Sequence, residues 1–308
     1  MGKKPPLLLI AGPTASGKSA LALALAEHSG GVIVNADSAQ IYRDLPILSA
    51  APTAQDRERA EHRLYGVRDG DEPCSAADWS AMAKREIADV HASGRIPILA
   101  GGTGLYIRTL LDGIAPVPPI DPEIRRQVRE APVEANRARL AGADPEASAR
   151  LNPADTARIA RALEVVLSTG RPIAQWQEQR EGGIVADVLL KPLVLLPPRA
   201  WLYERCNARF EAMIDNGAVE EVKRLLARGL DPSLPVVRTL GLNAIEALLA
   251  GEISRDEAIA RGQQATRNYA KRQYTWFAHQ PPAGWPRWTQ KLDSRAMGEA
   301  LALLHPSA

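Results

Sequence analysis

The stretch Gly12-Pro13-Thr14-Ala15-Ser16-Gly17-Lys18-Ser19 decides the fold of this 308-residue chain. It fits G-x-x-x-x-G-K-[ST], in which glycines let the backbone turn so that successive N–H groups face phosphate oxygens. The apolar run 7–11 before it predicts a buried strand. The run 19–27 after it predicts a helix, whose N-terminus adds partial positive charge. The sequence therefore predicts a phosphate-binding loop in an α/β fold, although the motif alone does not define the reaction.

Composition favours a globular protein of a reducing compartment. Hydrophobic residues make up 45% of the chain and aromatic residues only 5%, so the core is expected to consist mainly of aliphatic side chains. A net charge of +2 is too small to indicate nucleic-acid binding by itself, so local charge must decide. Two cysteines, Cys74 and Cys206, form neither a disulfide framework nor a zinc set. No apolar run approaches the roughly 18 residues of a membrane helix, so we expect a cytoplasmic protein that does not enter the membrane.

Two further loops follow predicted strands of the same sheet. Buried strands are predicted at 32–35 and 96–100, and Asp37 and Thr103 come just after them. Ligands of open parallel sheets bind at the carboxyl ends of the strands, which makes both residues candidates for a site. The alternatives are a helix cap at Asp37 or Ser38 and an ordinary strand-to-helix turn at Thr103.

The middle of the chain has helical patterns and no clear strand. A proline-rich break at 116–122 precedes it, and an apolar run at 192–197 predicts a strand that returns to the sheet. We therefore expect residues 119–189 to be an inserted helical domain and residues 1–118 with 190–308 to be the α/β core. One inserted helix is predicted to open at Asn152-Pro153-Ala154-Asp155 and to stop at Gly170.

The last third of the chain holds two helical segments that carry cations. In 201–228, broken at Gly217, Arg205 and Arg209 lie off the apolar stripe, where exposed ion pairing is the default interpretation. The stretch 261–288 has basic residues and no acidic one. Its cations and interleaved aromatics are Arg261, Arg267, Lys271, Arg272, Arg287, Tyr269, Tyr274, Trp276, Phe277, Trp285 and Trp288. This pattern suits RNA phosphates and unpaired bases, or else the aromatics are core and the cations are solvated.

Five stretches together resemble the tRNA dimethylallyltransferases. They are GPTASGKS at 12–19, DSAQIYR at 37–43, GRIPILAGGTGLYIRTLLDG at 94–113, RIARALEVVLSTGRP at 158–172 and RNYAKRQYTWF at 267–277. The resemblance implies a P-loop NTPase-like parallel sheet flanked by helices, with an inserted all-helical domain that grips the tRNA anticodon arm. The implied reaction transfers a dimethylallyl group from dimethylallyl diphosphate to N6 of the adenosine beside the anticodon. The phosphate loop would then hold a prenyl diphosphate.

The resemblance also implies roles for individual residues. Asp37 is the base toward the N6 amine, Thr103 positions the acceptor, and Arg209 assists the diphosphate. Residues Gly12 to Ser19 bind that diphosphate, with Ser19 holding Mg²⁺ as the cofactor. The implied tRNA-binding residues are Asp37, Ser38, Ala39, Gln40, Thr103, Arg125, Arg161, Ala162, Leu163, Glu164, Val165, Arg267, Lys271 and Arg272.

Three stretches depart from the usual pattern of that family. Residues 46–52 lack the acidic, glycine and lysine positions of the family's D-I-G-T-A-K-P run. Residues 61–65 replace its H-H-L-I-D, and residues 241–244 replace its G-Y-[KR]-E. These changes affect the expected lid and RNA grip, while the phosphate loop, Asp37 and Thr103 are unaffected.

Other functions fit parts of the sequence. The phosphate loop alone also fits a small-molecule kinase. Such a kinase would carry a Walker B pattern, an apolar strand that ends in an aspartate, and only the strand before Asp37 resembles one. Prenyl transfer to free adenine nucleotides would not need the helical insertion. An RNA-binding module without catalysis would not need an intact phosphate loop beside Asp37. We expect a monomeric transferase whose partners are dimethylallyl diphosphate and a tRNA with adenosine beside the anticodon.

Overall fold

The computed structural model describes residues 4–304 and contains a sheet of six strands. The strands are β1 (Pro6–Ala11), β2 (Val32–Asn35), β3 (His62–Arg63), β4 (Pro97–Gly101), β5 (Leu189–Leu195) and β6 (Arg287–Trp288). Their order across the sheet is β3-β2-β4-β1-β5-β6, and every neighbouring pair is parallel. The sequence predicted β1, β2, β4 and β5. It missed β3 and β6, because two residues are too few to show a period.

Fourteen α-helices lie in the described residues. They are α1 (Lys18–Ser29), α2 (Ala54–Arg59), α3 (Ala76–Ala92), α4 (Gly104–Asp112), α5 (Pro122–Glu130), α6 (Val133–Ala143), α7 (Pro145–Arg150), α8 (Thr156–Thr169), α9 (Ile173–Gln177), α10 (Arg199–Met213), α11 (Val219–Leu226), α12 (Leu242–Leu249), α13 (Arg255–His279) and α14 (Ser294–Leu304). A π-helical turn, Ile214–Ala218, joins α10 to α11, and a 3₁₀ turn, Pro235–Arg238, precedes α12.

The central strand β1 explains why the phosphate loop sits where it does. Its residues 7–11 are completely buried, because β1 lies between β4 and β5 with helices on both faces. Strands β2, β4 and β1 are neighbours, so the loops that leave their carboxyl ends emerge side by side. The phosphate loop, the segment that holds Asp37 and the loop that holds Thr103 therefore meet at one edge of the sheet.

Helix boundaries follow the local sequence with one exception. Ser75 caps α3 as predicted, in a reciprocal arrangement with Asp78. The predicted start of α8 at Asn152 is wrong, since the helix begins at Thr156 with Asp155 as its cap. The Asn152 side chain instead accepts a hydrogen bond from the N–H of Ala154, which closes a turn before the helix.

The predicted break at Gly217 is confirmed. Gly217 has φ +104° and Asn216 is also non-helical, so the chain kinks between α10 and α11. The apolar stripe on this segment is buried as expected from its helical spacing. Its members are Leu202, Cys206, Phe210 and Ile214.

Internal contacts divide the chain into two units. Residues 1–110 with 185–308 form the unit that holds the sheet, and residues 111–184 form the other. The sequence analysis placed these junctions at 118/119 and 189/190. The second unit consists of helices and one isolated antiparallel bridge between Ile114 and Glu181. Its core is small and aliphatic, and comprises Val128, Leu140, Ala147, Ile159, Ala160, Ala162, Leu163 and Val166.

Candidate active site

The backbone of the phosphate loop adopts positive φ angles that few residue types tolerate. Gly12 has φ +151°, and a Cβ there would lie 2.5 Å from the carbonyl oxygen of Leu195. Ala15 adopts a left-handed φ of +62°, which costs free energy for a residue with a side chain. Ala15 packs against Leu202, Cys206 and Ala270, so α10 and α13 hold the strained loop in place.

Three cations converge on this loop, and we call them the loop cations: Lys18, Arg205 and Arg209. Lys18 Nζ donates to the carbonyl of Pro13 at 2.7 Å, and Arg205 Nε donates to the carbonyl of Ala15 at 2.9 Å. Arg209 donates to Thr14 Oγ1. The default interpretation of the two arginines as ion-paired is therefore wrong, because both bond to the loop, although Arg205 is exposed as expected. Arg205 is a candidate functional residue that the sequence reasoning missed, although its i, i+4 spacing from Arg209 was the signal.

The loop cations lack negative partners within the described residues. No carboxylate of residues 4–304 pairs with any of them within 4.0 Å. Removal from water lowers the pKa of Lys18 to about 8, with the charge of Asp37 opposing the shift and that of Arg209 adding to it. Removal from water also lowers the pKa of Arg209. Cations that are desolvated without a counter-charge are arranged for an anionic ligand.

Asp37 is held by its neighbours rather than by a helix. Asn35 accepts from the N–H of Asp37 at 2.7 Å and donates to the carbonyls of Asp37 and Leu64. Asp37 Oδ1 accepts from the N–H of Ala39 at 3.0 Å. No helix follows Asp37, so the alternative of a helix cap at Asp37 or Ser38 is wrong. The buried Asn35 was not singled out from the sequence, and its role follows only from the contacts.

Thr103 joins two of the three loops. Its Oγ1 accepts from the N–H of Ser38 at 3.0 Å and lies 3.3 Å from Ser38 Oγ. Tyr269 of α13 lies beside Thr103, and burial, with the negative charge of Asp37, raises the pKa of Tyr269. The segment after β2, the loop after β4 and helix α13 therefore meet at Thr103.

Two cavities open around these residues. The phosphate-loop cavity, of about 570 Å³, is lined by the loop and the loop cations. The second cavity, of about 310 Å³, is lined by aromatic and polar side chains that include Tyr42, Tyr106, Phe210, Tyr269, Arg238 and Arg272. The cavities share four lining residues, which are Thr14, Asp37, Ser49 and Arg209. Asp37 therefore lies at the border between a cationic cavity and an aromatic one.

The segment that departs most from the family pattern forms part of both cavities and is fixed by two side chains. Gln40 donates to the carbonyls of Ser49 and Ala50 at 3.0 and 2.7 Å. The buried Glu221 of α11 accepts from the N–H groups of Ile47 and Leu48 at 2.8 and 3.0 Å. Burial raises the pKa of Glu221, and these two hydrogen bonds oppose the shift. The altered sequence at 46–52 thus still forms an anchored wall.

Helix α13 divides the basic, aromatic stretch into two faces. Thr266, Ala270, Gln273 and Phe277 are buried. We call Arg267, Lys271 and Arg272 the helix cations, and no ion pair of residues 4–304 includes them. Arg267 bonds to Asn207 and Gln264, Arg272 lies over the ring of Tyr269, and Lys271 is exposed. Phe277 and Trp288 are therefore core residues, as one interpretation expected, while contact of the helix cations with RNA stays a prediction.

In the helical unit, the stretch 161–165 is mainly core. The side chains of residues 162–165 are buried, so Arg161 is its only member that can offer a side chain to a ligand. The carboxylate of the buried Glu164 pairs with Arg129 at 2.5 Å and with Arg161 at 3.9 Å. Burial lowers the pKa of Arg161, and the positive charges of Arg125 and Arg129 act in the same direction. Arg129 joins the predicted Arg125 and Arg161 in a local cluster of cations.

The phosphate-loop cavity also contains donors that suit a hard metal ion. Ser19 and Asp37 both line it and offer a hydroxyl and a carboxylate oxygen. Residues 4–304 contain no group of three or more His, Cys, Asp or Glu side chains that would form a protein-only metal site. Mg²⁺ commonly uses one or two protein oxygens with substrate phosphates and water, which fits this donor set. In the same part of the chain, no helix is both long and apolar enough to cross a membrane.

Comparison with known sequences identifies close relatives. A family model described as IPP transferase matches residues 40–280. The chain is 60% identical over 291 residues to a tRNA dimethylallyltransferase of Erythrobacter litoralis, covering 93% of this chain and 92% of that protein. It is 61% identical over 287 residues to a tRNA dimethylallyltransferase of Sphingopyxis alaskensis, covering 93% and 94%.

Solved structures agree with the sequence comparison. The crystal structure of the full-length tRNA isopentenylpyrophosphate transferase from Bacillus halodurans matches with a TM-score of 0.70 and 30% identity, covering 97% of this chain and 95% of that one. A eukaryotic dimethylallyltransferase acting on tRNA matches with a TM-score of 0.76 and 26% identity, covering 88% and 69%. The predicted fold, a P-loop NTPase-like parallel sheet flanked by helices, is confirmed.

Proposed function

This chain belongs to the IPP transferase family, and from that premise we propose that it transfers a dimethylallyl group from dimethylallyl diphosphate to a tRNA. The acceptor is N6 of the adenosine beside the anticodon, and diphosphate is released. The observation that carries this proposal is the position of Asp37 at the border of the two cavities. A donor and an acceptor bound on opposite sides of that border would meet at Asp37.

The phosphate-loop cavity suits the diphosphate of the donor. The loop cations supply three positive groups where the leaving diphosphate gains charge, and the N-terminus of α1 adds its partial charge. Mg²⁺, held by Ser19 with the diphosphate oxygens, would neutralise more of that charge. Because the loop cations have no carboxylate partners, the anionic ligand would meet no competing charge apart from Asp37.

The second cavity suits the acceptor base. Its aromatic side chains can hold a flat ring, and an adenosine must leave its stack to reach a site inside the protein. N6 would attack the first carbon of the dimethylallyl group as the bond from that carbon to the diphosphate oxygen breaks. Asp37 would accept the proton that N6 loses, and Thr103, bonded to Ser38, would orient the acceptor.

Further cations suit the rest of the tRNA. The helix cations lie along α13, with Arg272 at the second cavity, and Arg125 and Arg161 lie in the helical unit, which we propose grips the anticodon arm. We also propose that the protein is a monomer in the cytoplasm. Cys74 and Cys206 are free thiols, which suits a reducing compartment.

Mass spectrometry of unmodified tRNA tests this function directly. We expect incubation with the protein, Mg²⁺ and dimethylallyl diphosphate to add one C5 unit to the adenosine beside the anticodon. A tRNA with guanosine at that position is the matched control and should gain nothing. Prenylation of AMP without any tRNA product would instead favour a nucleotide-acting relative. ATP-dependent phosphorylation of a small acceptor would favour a kinase.

A further inference from the structure

One buried amide connects the phosphate loop with the loop that carries Thr103. The Oε1 atom of Gln273 accepts from the N–H of Thr14 at 2.7 Å, and its Nε2 atom donates to the carbonyl of Gly102 at 2.8 Å. Thr14 follows β1 and Gly102 follows β4, so a single side chain of α13 joins the ends of two neighbouring strands. Gln273 is only 6% exposed, so water does not compete for either bond.

The contacts are specific to this amide. A backbone N–H can only donate and a carbonyl can only accept, so the two partners together fix the orientation of the Gln273 side chain. A Cβ at Gly102 would lie 2.5 Å from Gln273 Nε2, which shows how closely the amide approaches that loop. The N–H of Thr14 is occupied by Gln273 and therefore does not face the cavity.

Helix α13 holds the Thr103 loop at three successive turns. Tyr269 lies beside Thr103, Gln273 bonds to Gly102, and the ring of Trp276 lies against Gly104, where a Cβ would come within 2.6 Å. Of these three residues, Gln273 is the one that also bonds to the phosphate loop. Moving that amide would shift the diphosphate relative to the acceptor loop.

We propose that Gln273 is a positioning residue that sets the separation of the two substrates, an inference that rests on the proposed function. Its two hydrogen bonds fix the loop that holds the diphosphate against the loop that orients the acceptor. Gln273 lines neither cavity, so its proposed role is to position the loops rather than to bind a substrate. Losing its bonds should therefore lower kcat more than it raises KM for either substrate, because small misplacements of reacting groups slow the chemical step.

The variant Gln273→Glu tests this with a readout that packing alone would not produce. A protonated glutamic acid can accept from Thr14 and donate to Gly102, as the amide does. An ionised carboxylate can only accept, and it would face the Gly102 carbonyl without a donor. We follow the ratio of the kcat of the variant to the kcat of wild type at the same pH. This ratio should be about 0.1 or less at pH 8.5 and should rise toward 1 as the pH is lowered toward 6.

The comparison with wild type at each pH isolates the new carboxyl group. Tyr269 is the titratable group that interacts with Gln273 itself, and Asp37, Lys18, Arg209 and Arg272 are the charged groups around Tyr269 and the phosphate loop; all are present in both proteins. Gln280→Glu, at the exposed end of α13, is the matched control and should keep a flat ratio. Thermal unfolding at each pH confirms that the variants are folded under the assay conditions.

Two results would overturn this inference alone, provided that wild type is active. One is a kcat ratio for Gln273→Glu that does not change with pH, and the other is an effect confined to KM. The variant Gln273→Met, which fills the space without either hydrogen bond, should lower kcat at every pH. A fully active Gln273→Met would overturn the inference as well. A wild-type protein that prenylates no tRNA would overturn the proposed function and this inference with it.

Discussion

The loop cations and the helix cations belong to the same unit but are arranged differently. Lys18, Arg205 and Arg209 converge on three consecutive residues of the phosphate loop and share one cavity. Arg267, Lys271 and Arg272 are instead spread along one helix: Arg267 bonds to Asn207, Arg272 lines the second cavity and Lys271 is exposed. Neither set has a carboxylate partner within residues 4–304, so the contrast lies in spacing and in the burial of Lys18 and Arg209 rather than in pairing.

This difference separates two ways of binding phosphate. Desolvated cations at one point act strongly on a compact ligand, because little water screens them. Solvated cations along a helix act weakly and one by one on an extended ligand, and salt screens them. The first arrangement suits a diphosphate that leaves in the reaction, and the second suits the backbone of an RNA. Four predictions, taken from the largest expected effect to the smallest, test this separation.

The largest effect is expected at Asp37, the one carboxylate of the phosphate-loop cavity. Asp37→Asn should lower kcat by about 10²–10⁴, because the amide cannot accept the proton from N6. Binding of tRNA and of diphosphate should persist in equilibrium titrations. Asp256→Asn, at the exposed start of α13, is the control and should leave kcat unchanged. Undiminished turnover by Asp37→Asn would remove Asp37 from the role of base.

Two lysines allow a direct comparison between the two sets. Lys18→Ala should lower kcat by about 10²–10³, because it removes a donor aimed at the leaving diphosphate. Lys271→Ala should leave kcat at saturating tRNA close to wild type, since Lys271 is exposed on α13. Steady-state kinetics with both substrates varied would measure the two effects. Equal losses in both variants would contradict the separation between the sets.

The lowered pKa of Lys18 predicts a pH dependence of diphosphate binding. Lys18 is charged below its pKa of about 8 and neutral above it. Affinity for diphosphate should therefore be constant well below pH 8 and fall by up to about tenfold per pH unit above it. In Lys18→Arg the cation keeps its charge, so the fall above pH 8 should disappear. A wild-type affinity that stays constant to pH 10 would show that the charge of Lys18 is not needed.

The smallest effect is expected from the helix cations, and it should appear in salt dependence. Replacing Arg267, Lys271 and Arg272 together with glutamine should flatten the slope of log K for tRNA against log salt by about 2, at roughly 0.7 per phosphate contact. Because Arg272 also lines the second cavity, the salt slope rather than kcat is the readout. Arg261, which is paired with Glu257 on the same helix, gives the control variant Arg261→Gln. An unchanged slope in the triple variant would mean that the helix cations do not meet the RNA.

Much of the sheet could be predicted because local sequence dictates it. The apolar runs that predicted β1, β2, β4 and β5 are short, uninterrupted and bounded by turn residues, which is typical of buried strands in a parallel sheet. The phosphate loop could be predicted because its glycines permit the backbone dihedral angles of the loop, which is a requirement of the local sequence. The start of α8 could not be predicted, because the sequence offers two possible capping residues, Asn152 and Asp155. In the structure Asp155 caps the helix and Asn152 closes the turn before it.

The burial and the partners of each candidate side chain could not be predicted from the local sequence. Arg205 and Arg209 look like surface residues on a helix until α10 is placed against the phosphate loop. Glu164 looks exposed from its charge, yet it is buried beneath Arg129. The sequence around Gln273 does not indicate its two hydrogen bonds, because its partners Thr14 and Gly102 lie 259 and 171 residues away.

The sequence by itself determined the α/β class, the phosphate loop and the strand ends where Asp37 and Thr103 lie. These features depend on backbone geometry and on apolar period, both of which are properties of short segments. Only the tertiary structure decided which cations are desolvated, which cavity each group faces and which amide joins the loops. Those properties depend on removal from water and on contacts between distant segments, and neither exists until the chain is folded.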